Sequence, residues 1–211
     1  MNVEQVEESL LDISKELDEV EGKREKILRE SRDVISLSAK AITNIHLMNL
    51  DEASSKLNSA KALLAELRKV GTDDLHRYLI APEVEYVEAS ALYSIAMKKP
   101  IPSYKELEVT NVSYLLGLLD TIGEIKRRIY DEIRRGKSGE ASILFSIMER
   151  LYILLLPFAV YDHLAQGIRR KLDIARILIE DTRSAVTEET RRSKIIRSME
   201  KLSKKLSSKS K

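Results

Sequence analysis

Four carboxylates stand apart from the other charges of this chain. Glu85 and Glu88 lie in VEYVEASALYSIAM (84–97), and Asp120 and Glu124 in VTNVSYLLGLLDTIGEI (109–125). Each stretch holds two acids and no base, in a chain that is 33% charged. Acids in such apolar surroundings are expected to point inward, where like charges repel and lose hydration. Something must offset that cost: a proton, an internal Lys or Arg, or a divalent cation. Glu85 and Glu88 are spaced i,i+3 and Asp120 and Glu124 i,i+4, so each pair shares one face of a helix and could share one metal. Two such helices packed antiparallel would offer four hard oxygen ligands, which suit Mg²⁺ or Mn²⁺ better than Zn²⁺. A cation held this way neutralises phosphate charge, lowers the pKa of bound water and stabilises the leaving oxygen in phosphodiester cleavage. The competing reading is a set of buried acids paired with Arg or Lys from another helix or subunit. Spacing does not choose between them, because 34 acids produce such pairs by chance, as Glu4 does with Glu7 and Glu8.

The elements that must position these acids read as helices throughout. Seven Gly, four Pro, two Phe and no Trp, with abundant Leu, Ile, Ala, Glu, Lys and Arg, favour an all-α fold with an aliphatic core. Val3, Val6, Leu10, Ile13, Leu17 and Val20 recur at steps of three and four, and the pattern resumes after Gly22 to Ile45, giving one very long helix or two. Asp51 is expected to cap a helix that ends at Val70, with Gly71 as a left-handed C-terminal residue. Thr72 or Asp73 could cap the next segment, Pro82 restarts it in a first turn, and Lys98-Lys99-Pro100 closes it. Thr110 or Asn111 caps the Asp120/Glu124 helix, which ends near Gly136. Another helix runs from Gly139 to about Leu156, and a last one from about Phe158 towards the tail. Gly117 and Gly123 inside the Asp120/Glu124 helix each cost about 1 kcal/mol against Ala, so close approach of a second helix is expected there. The whole reads as a bundle of about seven helices: one domain over residues 1–200 and a basic Ser/Lys-rich, disordered tail over 201–211.

Charge and composition bound the partners. The net charge is +2, but residues 191–211 carry nine Lys or Arg against one Glu, a stretch able to contact a polyanion. Arg29, Arg32 and Lys40 could share a basic face that binds phosphate, although interleaved acids also fit an ordinary salt-bridged surface. With no Cys, disulfides and thiolate metal sites are excluded, in keeping with a reducing cytoplasm. His46, His76 and His163 form no metal motif, and no glycine-rich phosphate loop is present. The acidic N-terminus does not read as a signal peptide, and the apolar run Leu151 to Tyr161 is too short to span a bilayer, so no membrane partner is expected.

Three segments resemble the translin and translin-associated factor X family: SRDVISLSAKAITNIH (Ser31–His46), EYVEA (Glu85–Ala89) and above all VSYLLGLLDTIGEIKR (Val112–Arg127), which is similar to the factor X pattern of YLLG followed by DxxGE. The resemblance covers most of the chain and implies an all-helical protein that binds single-stranded nucleic acid and assembles into octamers. In the catalytic branch the corresponding acids form a magnesium-dependent endoribonuclease site. It therefore implies Glu85, Glu88, Asp120 and Glu124 as metal-binding catalytic residues, with Mg²⁺ or Mn²⁺ as cofactor. Arg32, Lys40, Arg77 and Arg127 are the expected phosphate contacts, on single-stranded RNA or DNA. One polypeptide in place of two subunit types implies a homo-oligomer of archaeal character with a site in every subunit. The alternative is a non-catalytic single-strand binding protein of the same fold.

Overall fold

A computed structural model describes residues 3–71 and 73–209. The described residues form six α-helices and two 3-10 turns, with no strand. Two compact units divide the chain, residues 1–117 and 118–211, with helix α4 running through the boundary.

In the first unit α1 (Glu4–His46) is a single helix, since Gly22 lies on its exposed side and does not interrupt it. Its second half buries Ile27, Ser31, Val34, Ser38, Ala41 and Ile45 at alternating steps of three and four, against α2 (Leu50–Val70) and α3 (Ile80–Ala96). α2 answers with Ala53, Leu57, Ala60, Leu64 and Leu67 at the same rhythm. Asn49, and not Asp51, is its N-cap; Asp51 falls in the first turn, where an acid still favours the positive end of the helix. Gly71 has φ −85°, so the left-handed expectation fails. Glycine is needed there for space: a Cβ would stand 2.8 Å from Leu79 Cδ1 and 3.2 Å from Leu67 O. Of the two caps expected after it, Thr72 lies outside the described residues, and Asp73 opens the 3-10 turn Asp73–Leu79. Pro82 sits in the first turn of α3, where its missing N–H has no partner to lose.

α4 (Asn111–Arg134) begins on Thr110, whose Oγ1 accepts the Ser113 N–H at 3.1 Å, while Asn111 Oδ1 accepts the Val112 N–H at 2.9 Å. In the second unit α4 is followed by α5 (Ser138–Leu155), the 3-10 turn Leu156–Tyr161 and α6 (Ile168–Lys209). α5 packs on α6 through Ala141, Leu144, Phe145, Met148, Leu151 and Leu155. The last helix starts ten residues later than Phe158, because Pro157 supports only the short 3-10 turn and Gly167 takes φ +95° just before Ile168. Residues 201–209, expected as a disordered tail, continue α6 as helix. Segment Ser138–Tyr161 is long and apolar enough to cross a bilayer by length and composition alone, longer than the Leu151–Tyr161 run, and 22% of its most apolar window is buried. The core helix of a soluble protein passes the same test but is mostly buried, which this window is not; within the segment Glu149 is paired with Arg183 of α6 at 2.9 Å.

Candidate metal centre and nucleic-acid contacts

Helix α3 is a core helix with a narrow opening. From Pro82 to Leu92 every residue is buried except Glu85 and Glu88, which are half-buried and lie one turn apart. The sequence expects these acids to point inward; they instead occupy the one strip of this stretch that water reaches, where the charge keeps part of its hydration. In the second unit α4 repeats the arrangement: from Leu118 to Ile125 only Asp120, Gly123 and Glu124 escape full burial. Asp120 accepts an ion-paired hydrogen bond from Lys171 of α6, and Glu124 Oε2 stands 3.7 Å from Arg127 of its own helix. The structure thus confirms that each pair shares a helical face. Among the described residues no group of three or more His, Asp or Glu side chains gathers within either unit as a metal-binding set.

The donor chemistry still fits a hard cation. Each pair supplies carboxylate oxygens, is partly open to solvent, and lies in an apolar strip that would strengthen its hold on a divalent ion. On α4 the ion pairs with Lys171 and Arg127 compete with a metal, and their cationic heads are a third and 58% exposed, free to swing away at small cost.

The fully buried acids are others, and the sequence reading passed over them. Glu83 has no exposed surface. Its Oε1 accepts from Arg68 Nε at 3.3 Å, and its Oε2 accepts from Thr110 N and Thr110 Oγ1, both at 3.2 Å. Thr110 Oγ1 is therefore shared between the α4 cap and Glu83, so this carboxylate ties α2, α3 and the start of α4 together within the first unit. In the second unit Glu132 is met by Arg135 at 3.1 Å and by Arg128 and Lys137 at 3.8 Å. Glu83 is a structural ion pair of the kind the competing reading assigned to the four acids, whereas Glu132 is paired within α4 and the turn that follows it. The signal for Glu83 was available: it lies one residue before the acid-only stretch, two residues from Glu85 and thus on another face of α3.

The basic candidates divide. Arg32 and Lys40 are exposed on α1, opposite the buried seam. Arg77 is exposed, donates to the Tyr78 hydroxyl at 3.1 Å and lies 5.0 Å from that ring centroid; Arg24 donates to the same hydroxyl at 3.1 Å and lies 5.4 Å from the ring. The hydrogen bond from Arg24, then that from Arg77, holds the Tyr78 phenol below the usual tyrosine range. Arg127 is exposed beside Glu124. His76 Nε2 is buried and makes no hydrogen bond among the described residues, which suits a structural histidine better than a nucleic-acid contact.

The two glycines of α4 have different reasons. A Cβ on Gly117 would fall 2.6 Å from Val87 Cβ and 2.7 Å from Val84 O, so α4 crosses α3 at contact in the first unit as expected. At Gly123 the nearest atom is Leu178 Cδ1 at 4.0 Å, and the expected tight crossing is absent there.

No family model matches the chain. An uncharacterised protein of Methanocaldococcus jannaschii is 37% identical over 162 residues, 75% of this chain and 72% of that protein. Three solved structures share the fold. AfC3PO is 30% identical with a TM-score of 0.80, covering 86% of this chain and 97% of its own. The AfC3PO–duplex RNA complex is 29% identical with a TM-score of 0.79, covering 86% and 96%. NeC3PO in its apo form is 26% identical with a TM-score of 0.78, covering 85% and 96%.

Proposed function

The chain belongs to the C3PO family of translin and translin-associated factor X proteins, and from that premise we propose that it is a metal-dependent endoribonuclease acting on single-stranded RNA as a cytoplasmic homo-oligomer, an octamer. The observation that carries the proposal is the pairing of Glu85 with Glu88 as the two water-reached positions of an otherwise buried stretch of α3. That strip is open enough for a hydrated cation to reach both carboxylates. Glu85 and Glu88 of α3 and Asp120 and Glu124 of α4 are the proposed ligands of Mg²⁺, with Mn²⁺ as a substitute. When bound, the ion supplies charge neutralisation at the phosphate and a water of lowered pKa. The protein's own part is to hold that ion and to place the strand. Arg32, Lys40, Arg77 and Arg127 contact phosphates by position and not by sequence, which makes binding salt-dependent and tolerant of base identity. No side chain near the acids is required as a general base.

A second reading, a non-catalytic RNA-binding protein, is favoured by the ion pairs Lys171–Asp120 and Arg127–Glu124, which would satisfy the α4 acids without metal. The solved complex of AfC3PO with duplex RNA makes double-stranded RNA a ligand to compare under this reading. Cleavage of labelled single-stranded RNA in Mg²⁺, in EDTA and by Glu124→Ala decides between them. The endoribonuclease reading expects cleavage that EDTA and the mutation abolish while oligomeric mass is kept. Binding of single-stranded or duplex RNA without cleavage would select the second reading.

A further inference from the structure

Helix α1 carries one apolar seam along its length. Its second half is buried under α2 and α3, but the first half, Val3, Val6, Leu10, Ile13, Leu17 and Val20, is between 45% and 63% exposed. These six residues keep the alternating three-and-four spacing of the buried half, and in register they fill the inward positions of three heptads. A second uncovered seam lies on the last turns of α6, where Ile195, Met199, Leu202 and Leu206 are spaced four, three and four and are 57% to 65% exposed. Two helical seams without a partner would each associate with another helix.

Charge selects which helix. Residues 1–21 hold eight acids with Lys15 as the one base, and residues 191–211 hold nine bases with Glu200 as the one acid. The 169 residues between them are balanced, with 25 acids and 26 bases. Two α1 seams would repel, as would two α6 seams, whereas an α1 seam and an α6 seam attract along their length. We infer that the first half of α1 of one copy docks on the last turns of α6 of a second copy. Glu7, Glu16 and Glu21 flank the α1 seam, and Lys205 flanks the α6 seam, with Lys201 further round the helix and Lys204 on its far face adding to the positive field. The two seams run about 27 Å and about 18 Å at 1.5 Å per residue, so the shorter is covered completely. The arrangement is self-complementary: a twofold pair of copies exchanges both seams. It rests on the homo-oligomer proposed above and not on its chemistry.

The test is carbodiimide cross-linking, in low salt and without RNA or metal, of light-isotope and heavy-isotope copies refolded together. The expected result is peptides of 3–21 joined to lysines of 194–205 with one light and one heavy partner. The variant Lys201→Glu/Lys204→Glu/Lys205→Glu should lose the joins to the Lys194 that it keeps, and separately Glu7→Lys/Glu16→Lys/Glu21→Lys those from the Glu4, Glu8, Asp12, Asp18 and Glu19 that it keeps, by about tenfold, since like charges then face each other. Mixing the two variants should restore them, because each supplies the seam the other lacks. Joins confined to one isotope would mean pairing within a chain and would overturn the inference. So would their absence in the wild type, including the case in which the basic stripe proves to serve RNA alone. Loss of catalysis in Glu124→Ala leaves this readout unmoved, so the two proposals fail separately.

Discussion

Replacing Glu83 with Ala leaves the Arg68 guanidinium, whose side chain is only 18% exposed, with just the Leu107 carbonyl at 3.4 Å and Glu108 at 4.0 Å among the described residues, and removes the acceptor of two Thr110 donors. Breaking a buried pair from one side costs about 3–5 kcal/mol, so Glu83→Ala should lower unfolding stability by that order in denaturant titration. Glu88→Gln, at a half-buried site, should cost less than about 1 kcal/mol while removing cleavage. A reversed ranking would mean that the structural and the functional acids have been exchanged. The glycines give a second contrast. Gly117→Ala drives a methyl into Val87 and the Val84 carbonyl and should destabilise by about 1–3 kcal/mol. Gly123→Ala meets only an ordinary contact with Leu178 Cδ1 at 4.0 Å and should stabilise by about 1 kcal/mol through helix propensity. Thermal melts of both variants check this. The four candidate acids were legible in the sequence from their uncharged neighbours. The place of Glu83 on another face of α3 was legible too, but its partner Arg68 on α2 was not, because a contact between helices cannot be read from local spacing.

Helices are stabilised here by seams and by ion pairs that staple one element to the next. Within the second unit Asp181 of α6 is paired with Lys126 of α4 and accepts from the Tyr130 hydroxyl at 3.2 Å. Lys126 holds the Asp181 carboxyl below the ordinary aspartate range. A depressed acid contributes stability that is complete above its unfolded-state pKa and is lost as pH falls through its lower folded-state value. Asp181→Asn should therefore remove part of the acid limb of the stability profile and leave neutral-pH melting less affected by further acidification. Chemical denaturation across the acid range measures it. Along α1, Ser38 is fully buried and its Oγ finds no hydrogen-bond partner among the described residues, so Ser38→Ala should be neutral or stabilising by up to about 1 kcal/mol. Most helix ends were legible, because Thr110, Pro82 and Pro100 act locally. The start of α6 was not: the apolar content of LPFAVY continues that of α5, and what stops the helix is backbone geometry from Pro157 to Gly167. Gly71 was read as a conformational glycine when its reason is the Leu79 side chain, a contact no local pattern reveals.

At the scale of the chain, each unit buries its own aliphatic core, and the exposed first half of α1 and last turns of α6 carry opposite charge. Composition carried the fold class, since a chain so poor in Gly, Pro and aromatics has helical seams as its available way to bury surface. The continuity of α1 through Gly22 was left open by periodicity, because one exposed glycine weakens a long helix by about 1 kcal/mol without ending it. The proposal that all of this serves is that Glu85 and Glu88 of α3 and Asp120 and Glu124 of α4 are metal ligands. Manganese binding followed by electron paramagnetic resonance, on the wild type and on Glu85→Gln, Glu88→Gln, Asp120→Asn and Glu124→Gln, tests it directly. The account predicts tight binding to the wild type that each substitution weakens at least about tenfold, in step with loss of cleavage. Manganese binding left unchanged by all four substitutions, or weakened by one pair alone, would contradict it.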